Sequence, residues 1–526
     1  MAASKLLSCR RSALFFLPMA LLLAICAGCG ASGGNSSNNG GGGTTGGGGG
    51  GTAPPPPASN ANLWAWMGGS NTTPYLTVGP AGVYGTEGVG STSNVPGGRE
   101  GAGVWTDVNG NFWLFGGHSV DENGVLAYGN DLWEYVPSKG TWTWMSGANV
   151  LSNQTAGPIG VYGTIGIPST TNVPGGRVSP VTWSDSSGNL WLFGGAGVDS
   201  IGSEGSLNDL WEFSPSTKTW TWIGGSSVVG GPSGESDAVG QPSMYGTKGT
   251  PSTTNFPGGR WKAVSWIDSK GDLWLFGGFG ANLVGSEGDL DDLWEFDPTD
   301  KTWTWISGSS ASDVSGAYGI QNVASPSNVP GARDSAISWV DHSGHLWLFG
   351  GYGRDANGTL GVLNDLWQFN LADKTWTWVS GSNSVGNFGE GQSGVYGTQG
   401  VAAAGNMPGG RDDAVSWTDG SGNLWLFGGY GVDSNPPPNG MTALNDLWEF
   451  DTTQKMWTWV SGDKVGNDVA IYGMLGTASA SSIPSGRTSA TSWLDTDGNL
   501  WLFGGWGVNS QPAINHPLND LWRYTP

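Results

Sequence analysis

From residue 62 onward the chain runs as short apolar stretches separated by polar, glycine-bearing breaks, and one stretch displays the pattern in full. Ala414-Val415-Ser416-Trp417 alternates apolar and polar positions as a half-buried strand does. Asp419-Gly420-Ser421-Gly422-Asn423 follows, then Leu424-Trp425-Leu426-Phe427-Gly428-Gly429. Two strands around such a break predict a hairpin, because Asp bonds a turn's backbone and Gly accepts positive φ. After a variable loop, Asn445-Asp446-Leu447-Trp448-Glu449-Phe450 predicts a third strand and Trp457-Thr458-Trp459-Val460 a fourth.

This four-strand unit recurs. An Arg after a Pro-Gly-rich turn returns at Arg99, Arg177, Arg260, Arg333, Arg411 and Arg487, at spacings of 73 to 83 residues. An Asp returns with it at Asp131, Asp209, Asp292, Asp365, Asp446 and Asp520, as do Gly-Gly pairs such as Gly116-Gly117 and Gly504-Gly505. The Arg, the Gly-Gly pair and the Trp of the last strand resemble the kelch repeat over residues 62 to 526. That resemblance implies an all-β, six-bladed propeller with four antiparallel strands per blade, expected as a monomer. The copies are out of phase with the chain ends: Leu63-Trp64-Ala65-Trp66-Met67 has a fourth-strand sequence and Asp520-Leu521-Trp522-Arg523-Tyr524 a third-strand one. The N-terminal strand is therefore expected to complete the last blade and close the ring, which removes exposed sheet edges.

Each unit exceeds the roughly 50 residues of an ordinary kelch repeat. The excess lies between the fourth strand and the next Arg, where Val-Tyr-Gly-Thr or a variant recurs around Tyr84, Tyr162, Tyr245, Tyr318, Tyr396 and Tyr472. Insertions at one connection in every blade are expected to gather on one face and form a binding surface.

Composition narrows the chemistry. Gly at 95 and Trp at 32 fit a tryptophan-packed repeat, and a net charge of -22 argues against nucleic acid as a partner. The cysteines, Cys9, Cys26 and Cys29, all lie in the first thirty residues, so the repeats have no thiol for a disulfide, a metal or catalysis. Lys5, Arg10 and Arg11 precede an apolar run from Ala13 to Ile25 that is short for a membrane span and reads as a secretory signal. It ends in Cys26-Ala27-Gly28-Cys29, which resembles the lipobox of bacterial lipoproteins, with Cys26 where Leu is usual. Residues 1–28 are thus expected to be a signal with lipobox and Cys29 the lipidation site. The exported protein would sit at the outer membrane or cell surface, held only by its lipid, or be periplasmic or secreted if the signal is ordinary. Residues 29–60, rich in Gly, Ser and Asn and ending in Pro54 to Pro57, read as a flexible tether, and 61–526 as the propeller.

Most Trp residues sit at fixed strand positions, so they are expected to pack between blades. The recurrent Arg and Asp residues are likewise expected to be structural partners, bonding carbonyls and each other to lock adjacent blades. Aromatics outside the repeat pattern are the ligand candidates: Trp261, Phe279, Tyr352, Phe388, Tyr430 and Trp506. The four histidines, His118, His342, His345 and His516, are too dispersed for a metal site, and Asp495 to Asn499 resembles only part of a calcium loop. Galactose oxidase also has kelch repeats, but its Tyr-Cys cross-link has no counterpart in a domain without Cys. No catalytic residue, metal or cofactor is assigned. The expectation is a non-enzymatic binding or scaffold protein recognising a protein or glycan through propeller-face loops. The alternative is a glycan-active hydrolase or sugar isomerase, for which Glu204, Glu235, Glu287 and Glu390 are the irregular acids.

Overall fold

The computed structural model describes residues 61–72, 78–152, 156–230, 239–386, 389–436, 440–510 and 515–526. The signal, Cys29, the tether, Glu235 and Phe388 lie outside them. Among the described residues there is no helix, and the chain forms repeated antiparallel sheets. In the fifth unit Val415–Thr418, Leu424–Phe427, Leu447–Asp451 and Met456–Ser461 pair in that order. Register places Trp417 opposite Trp425, Leu426 opposite Trp448, and Trp448 opposite Trp459 after a bulge. The third and fourth units repeat the order.

The hairpin turn is held by its aspartate. Asp419 Oδ1 accepts from the N–H groups of Ser421 and Asn423, and Oδ2 from Asn423 Nδ2 and Trp425 Nε1. Asp495 accepts from Asp497, Asn499 and Trp501 in the same way, so the segment that resembles a calcium loop is built as this turn.

At the other end of each sheet the Gly-Gly pair bends the second strand. Gly428 and Gly429 have φ of 68° and 93°, and a Cβ on Gly428 would meet the carbonyls of Arg487 and Leu444 at 3.0 Å. Beyond the bend Arg411–Asp412, Tyr430–Val432 and Met441–Ala443 form a small three-stranded sheet.

The core lies between successive units rather than within one. Trp339, Trp347 and Phe349 of the fourth unit pack with Leu424, Leu426, Trp448, Phe450 and Trp457 of the fifth. Trp457 meets Phe349 edge to face with centroids 5.5 Å apart, and Trp376 meets Phe276 likewise. Such pairs contribute about 0.5–1.5 kcal/mol beyond their buried area. First strands of successive units are neighbours, and their indoles donate to main-chain oxygens of the next unit. These bonds run from Trp105 to Trp191, Trp183 to Trp274, Trp266 to Trp347, Trp339 to Trp425, Trp417 to Trp501 and Trp493 to Trp113, at 2.8 to 3.3 Å. Leu63–Gly68 pairs with Leu521–Thr525, which pairs with Leu500–Phe503. These repeated four-strand sheets with Trp and Phe clusters between them are consistent with a β-propeller.

The insertions do not form a free loop face. Val395 pairs with Met407, and the segment between them lies along the fourth strand of its own unit, with Gly400 N–H donating to Trp459 O and Asn406 Nδ2 to Trp457 O. Gly88 bonds Trp144, Gly166 bonds Trp222, Gly249 bonds Trp305 and Gly476 bonds Trp66 in the same way. The insertion covers the edge of backbone groups that the outermost strand would otherwise present, while Val89, Ile167, Val401 and Met474 on the insertions stay exposed.

Candidate functional site

Each recurrent Arg is buried in a bidentate pair with the recurrent Asp of its own unit, at 2.6 to 2.9 Å. Arg99 also donates to the carbonyls of Gly97 and Gly116. The insertion tyrosine completes the cluster: Tyr84 OH and Trp133 Nε1 both donate to Asp131 Oδ2. Burial works against the Asp131 carboxylate, but Arg99 outweighs it and holds the carboxyl below its ordinary range. Burial pushes the Tyr84 phenol well above its ordinary value. The six Arg and six Asp side chains are 0 to 1% exposed and bonded to one another, so they are closed to a ligand. The Arg and Asp side chains, expected to lock adjacent blades, pair within one unit and not between adjacent ones. It is the Arg main chain that reaches the preceding unit, as where Arg411 N–H donates to Leu363 O and Gly351 N–H to Arg411 O.

The aromatic candidates share one place in the fold. Phe279, Tyr352, Tyr430 and Trp506 each follow a Gly-Gly pair, and Trp261 follows Arg260. They are strand residues at recurrent positions, not loop residues. The position after Arg faces the position after Gly-Gly across the ladder. The resulting pairs are Glu100 with His118, Val178 with Ala196, Trp261 with Phe279, Asp334 with Tyr352, Asp412 with Tyr430 and Thr488 with Trp506. The backbone position recurs while the side chain changes, which makes this rim the variable part of an otherwise regular fold. Trp261, Phe279, Tyr352 and Trp506 are half-buried and Tyr430 is 42% exposed.

One residue further on, Gly101, Ser179, Lys262, Ser335, Asp413 and Ser489 all adopt left-handed φ of 50° to 58°. Their N–H groups donate to one another's carbonyls: Gly101 to Ser489, Ser179 to Gly101, Lys262 to Ser179, Ser335 to Lys262, Asp413 to Ser335 and Ser489 to Asp413, at 2.6 to 3.1 Å. A non-glycine residue in this conformation costs about 1–2 kcal/mol, and five of these six positions accept that cost while engaged in bonds between units.

Of the charged residues at the two positions after Arg, Lys262, Asp334, Asp412 and Asp413 belong to the third to fifth units and Glu100 to the first. Lys262 Nζ donates to Asp413 Oδ2 at 2.6 Å, joining the third unit to the fifth, and lies over the Trp261 ring. Burial works against the ammonium, but Asp413, Asp334 and Asp412 outweigh it and hold its pKa above the ordinary lysine value. Sequence reasoning missed Lys262, Asp334, Asp412, Asp413 and Thr488. The signal available was that the two residues after each recurrent Arg vary where their neighbours do not.

The remaining candidates are dispersed. His118 Nδ1 lies 3.3 Å from Glu100 Oε1, His345 Nδ1 is 3.0 Å from Asp341 Oδ2 on its own turn, and His516 donates to Pro517 O. Glu204 and Glu287 open equivalent strands in neighbouring units, and Ser206 Oγ donates to Glu287 Oε1. Glu390 has a buried Oε2 without a hydrogen-bond partner among the described residues. Asp268, Asp272 and Glu295 have carboxylate oxygens within 4.8 Å of one another, a group that could hold a cation, and burial with the neighbouring acids pushes Asp272 up to about 6. At the end of the first strands away from the left-handed residues lies a cavity of ≈ 250 Å³ lined by Trp105, Trp183, Trp417 and Trp493 among others. No family model matches the sequence, and no curated protein matches it either.

Proposed function

We propose that the chain is a kelch-type propeller of six blades closed into a ring, and that it serves as a non-enzymatic binding protein whose rim takes a glycan or protein ligand. Ring closure is supported by the indole bonds that run from unit to unit and return from Trp493 to Trp113, and by the pairing of Leu63–Gly68 with Leu521–Thr525. The binding reading is carried by the rim. A regular backbone presents different side chains at the same two positions of every unit, with Trp261, Tyr352, Tyr430 and Trp506 partly exposed there. The lipobox resemblance supports display at the cell envelope through a lipid on Cys29.

Screening the compact unit Ser59–Pro526 on a glycan array, with tryptophan fluorescence to confirm each hit, tests the reading. Saturable binding lost on Trp506→Ala or Tyr430→Ala is the expected result. Turnover of a bound oligosaccharide would replace it with the glycan-active enzyme. Radiolabelled fatty acid retained by the wild type and absent from Cys29→Ala is expected for the anchor.

A further inference from the structure

We propose that the cavity between the first strands is a second binding site, for one uncharged sugar ring such as a free hexose, and that it exists because Val104 interrupts a run of hydroxyl bonds there. The site lies at the end of the first strands away from the rim and does not depend on the rim reading.

The second position of the first strand carries a hydroxyl in every unit but the first, and each of these hydroxyls donates to the main-chain oxygen of the same position one unit back. Thr182 bonds Val104, Ser265 bonds Thr182, Ser338 bonds Ser265, Ser416 bonds Ser338 and Ser492 bonds Ser416, at 2.9 to 3.3 Å. Val104 has no hydroxyl to give the Ser492 carbonyl, so the run is broken between the sixth unit and the first. The fourth position of the strand is interrupted at the same place. Thr418 Oγ1 donates to Val340 O at 3.1 Å, whereas the hydroxyls of Thr106 and Ser184 make no hydrogen bond among the described residues. The cavity of ≈ 250 Å³ opens at this break, lined by Val104, Thr106, Thr182, Ser184, Ser492 and Leu494 among others, all of them half-buried.

The lining decides the ligand class. Among the described residues no ionisable side chain lines the cavity, so nothing there offsets an ionic charge. A calcium or magnesium ion would need carboxylate oxygens, and a chain of formal charge -22 opposes an anion. What the cavity offers is two uncommitted hydroxyls and the carbonyl that Val104 leaves without its donor, set beside the apolar Val104 and Leu494. Polar groups left this way gain from a partner that restores their bonds. A pyranose ring carries hydroxyls around its edge and C–H groups on its faces, so it meets both kinds of lining. Water can take the hydroxyl positions but gains nothing from Val104 and Leu494, and an apolar group that displaces poorly ordered water gains affinity. The volume lies just below the roughly 300–1,000 Å³ of pockets for drug-sized ligands, which suits a single ring and excludes an oligosaccharide.

Calorimetric titration of the full-length protein with D-glucose, D-galactose and D-mannose, and with D-glucuronate as a charged counterpart, tests the site. At least one neutral hexose is expected to bind, and at least tenfold more tightly than glucuronate. Val104→Thr supplies the missing hydroxyl and occupies the Ser492 carbonyl, so it should weaken binding at least tenfold. Thr106→Val should do the same by removing a partner, and Ser184→Ala serves if either variant does not fold. Trp506→Ala, on the rim, should leave this binding unchanged. Failure of every neutral hexose to bind overturns the inference and leaves the cavity to water, whatever the glycan array shows for the rim. Binding that survives both Val104→Thr and Thr106→Val overturns it as well, and equal binding of glucuronate overturns the uncharged ligand. Binding lost in Trp506→Ala and kept in Val104→Thr overturns this site in favour of the rim.

Discussion

The indole Nε1 of Trp493, in the sixth unit, donates to the main-chain oxygen of Trp113 in the first, repeating the bond that Trp105 makes to Trp191 one unit along. Leu63–Gly68 pairs with Leu521–Thr525 in the place that a fourth strand takes in the other units, with Trp64 2% exposed against Phe427 and Tyr524. Trp64→Ala should therefore cost about 3–5 kcal/mol, as for a large buried aromatic. A shift in the urea midpoint no larger than that of a surface substitution would count against the closed ring.

Removing one partner of a buried ion pair leaves the other charged and unsolvated. Asp446→Asn removes the negative charge opposite Arg411 and replaces one of its two acceptor oxygens with an amide NH2, so a loss of about 3–5 kcal/mol is expected. Arg411→Lys should also destabilise, because an ammonium cannot reproduce the bidentate fork together with the bonds to Gly409 and Gly428. Chemical denaturation of both variants measures this.

The Arg487–Asp520 pair contributes to the acid limit. Burial opposes the Asp520 carboxylate, Arg487 outweighs it, and the folded pKa lies below the ordinary value. A depressed carboxyl contributes stability that is present above the unfolded pKa of about 3.9 and is lost as pH falls through the folded one. Stability should therefore fall steeply below about pH 4, and Asp520→Asn should flatten that limb while lowering stability at neutral pH.

Asp291 makes the opposite case. In five units the equivalent residue is Asn, whose Nδ2 donates to a proline carbonyl, as from Asn130 to Pro174 and Asn445 to Pro484. A carboxylate cannot donate, and burial pushes Asp291 up to about 7. A raised pKa means stability present below the unfolded value and lost as pH rises through the folded one. Asp291→Asn should thus raise the melting temperature above pH 7 and leave it little changed below pH 4. Equal shifts at both pH values would contradict this account.

The rim should separate binding from folding. Tyr430 is 42% exposed and Trp506 half-buried, so Tyr430→Ala should shift the denaturation midpoint little. Ligand binding should nevertheless fall at least tenfold in Tyr430→Ala and Trp506→Ala if these rings stack on the ligand. Loss of binding in proportion to loss of stability would assign them to packing.

The strands of the fifth unit, the Asp419 turn and the Gly428-Gly429 bend were legible in the sequence because alternation, turn chemistry and positive φ are local properties. The partners of Arg411 were legible as a type, since a buried guanidinium needs an acid, but its enclosure within a single unit was not. The aromatic candidates were found as irregularities, yet their shared position stayed hidden, because Trp261 and Phe279 lie eighteen residues apart and meet only across a ladder.

By itself, then, the sequence determined the repeat, its four strands and the residues that build its core, all of which follow from short-range pattern. Only the tertiary structure decided that the insertions cover outer strand edges, that Arg and Asp pair inside a unit, and that Lys262 of the third unit meets Asp413 of the fifth. The last of these contacts joins residues 151 apart in the chain, and it exists only because packing between units brings positions of the third and fifth units to one face.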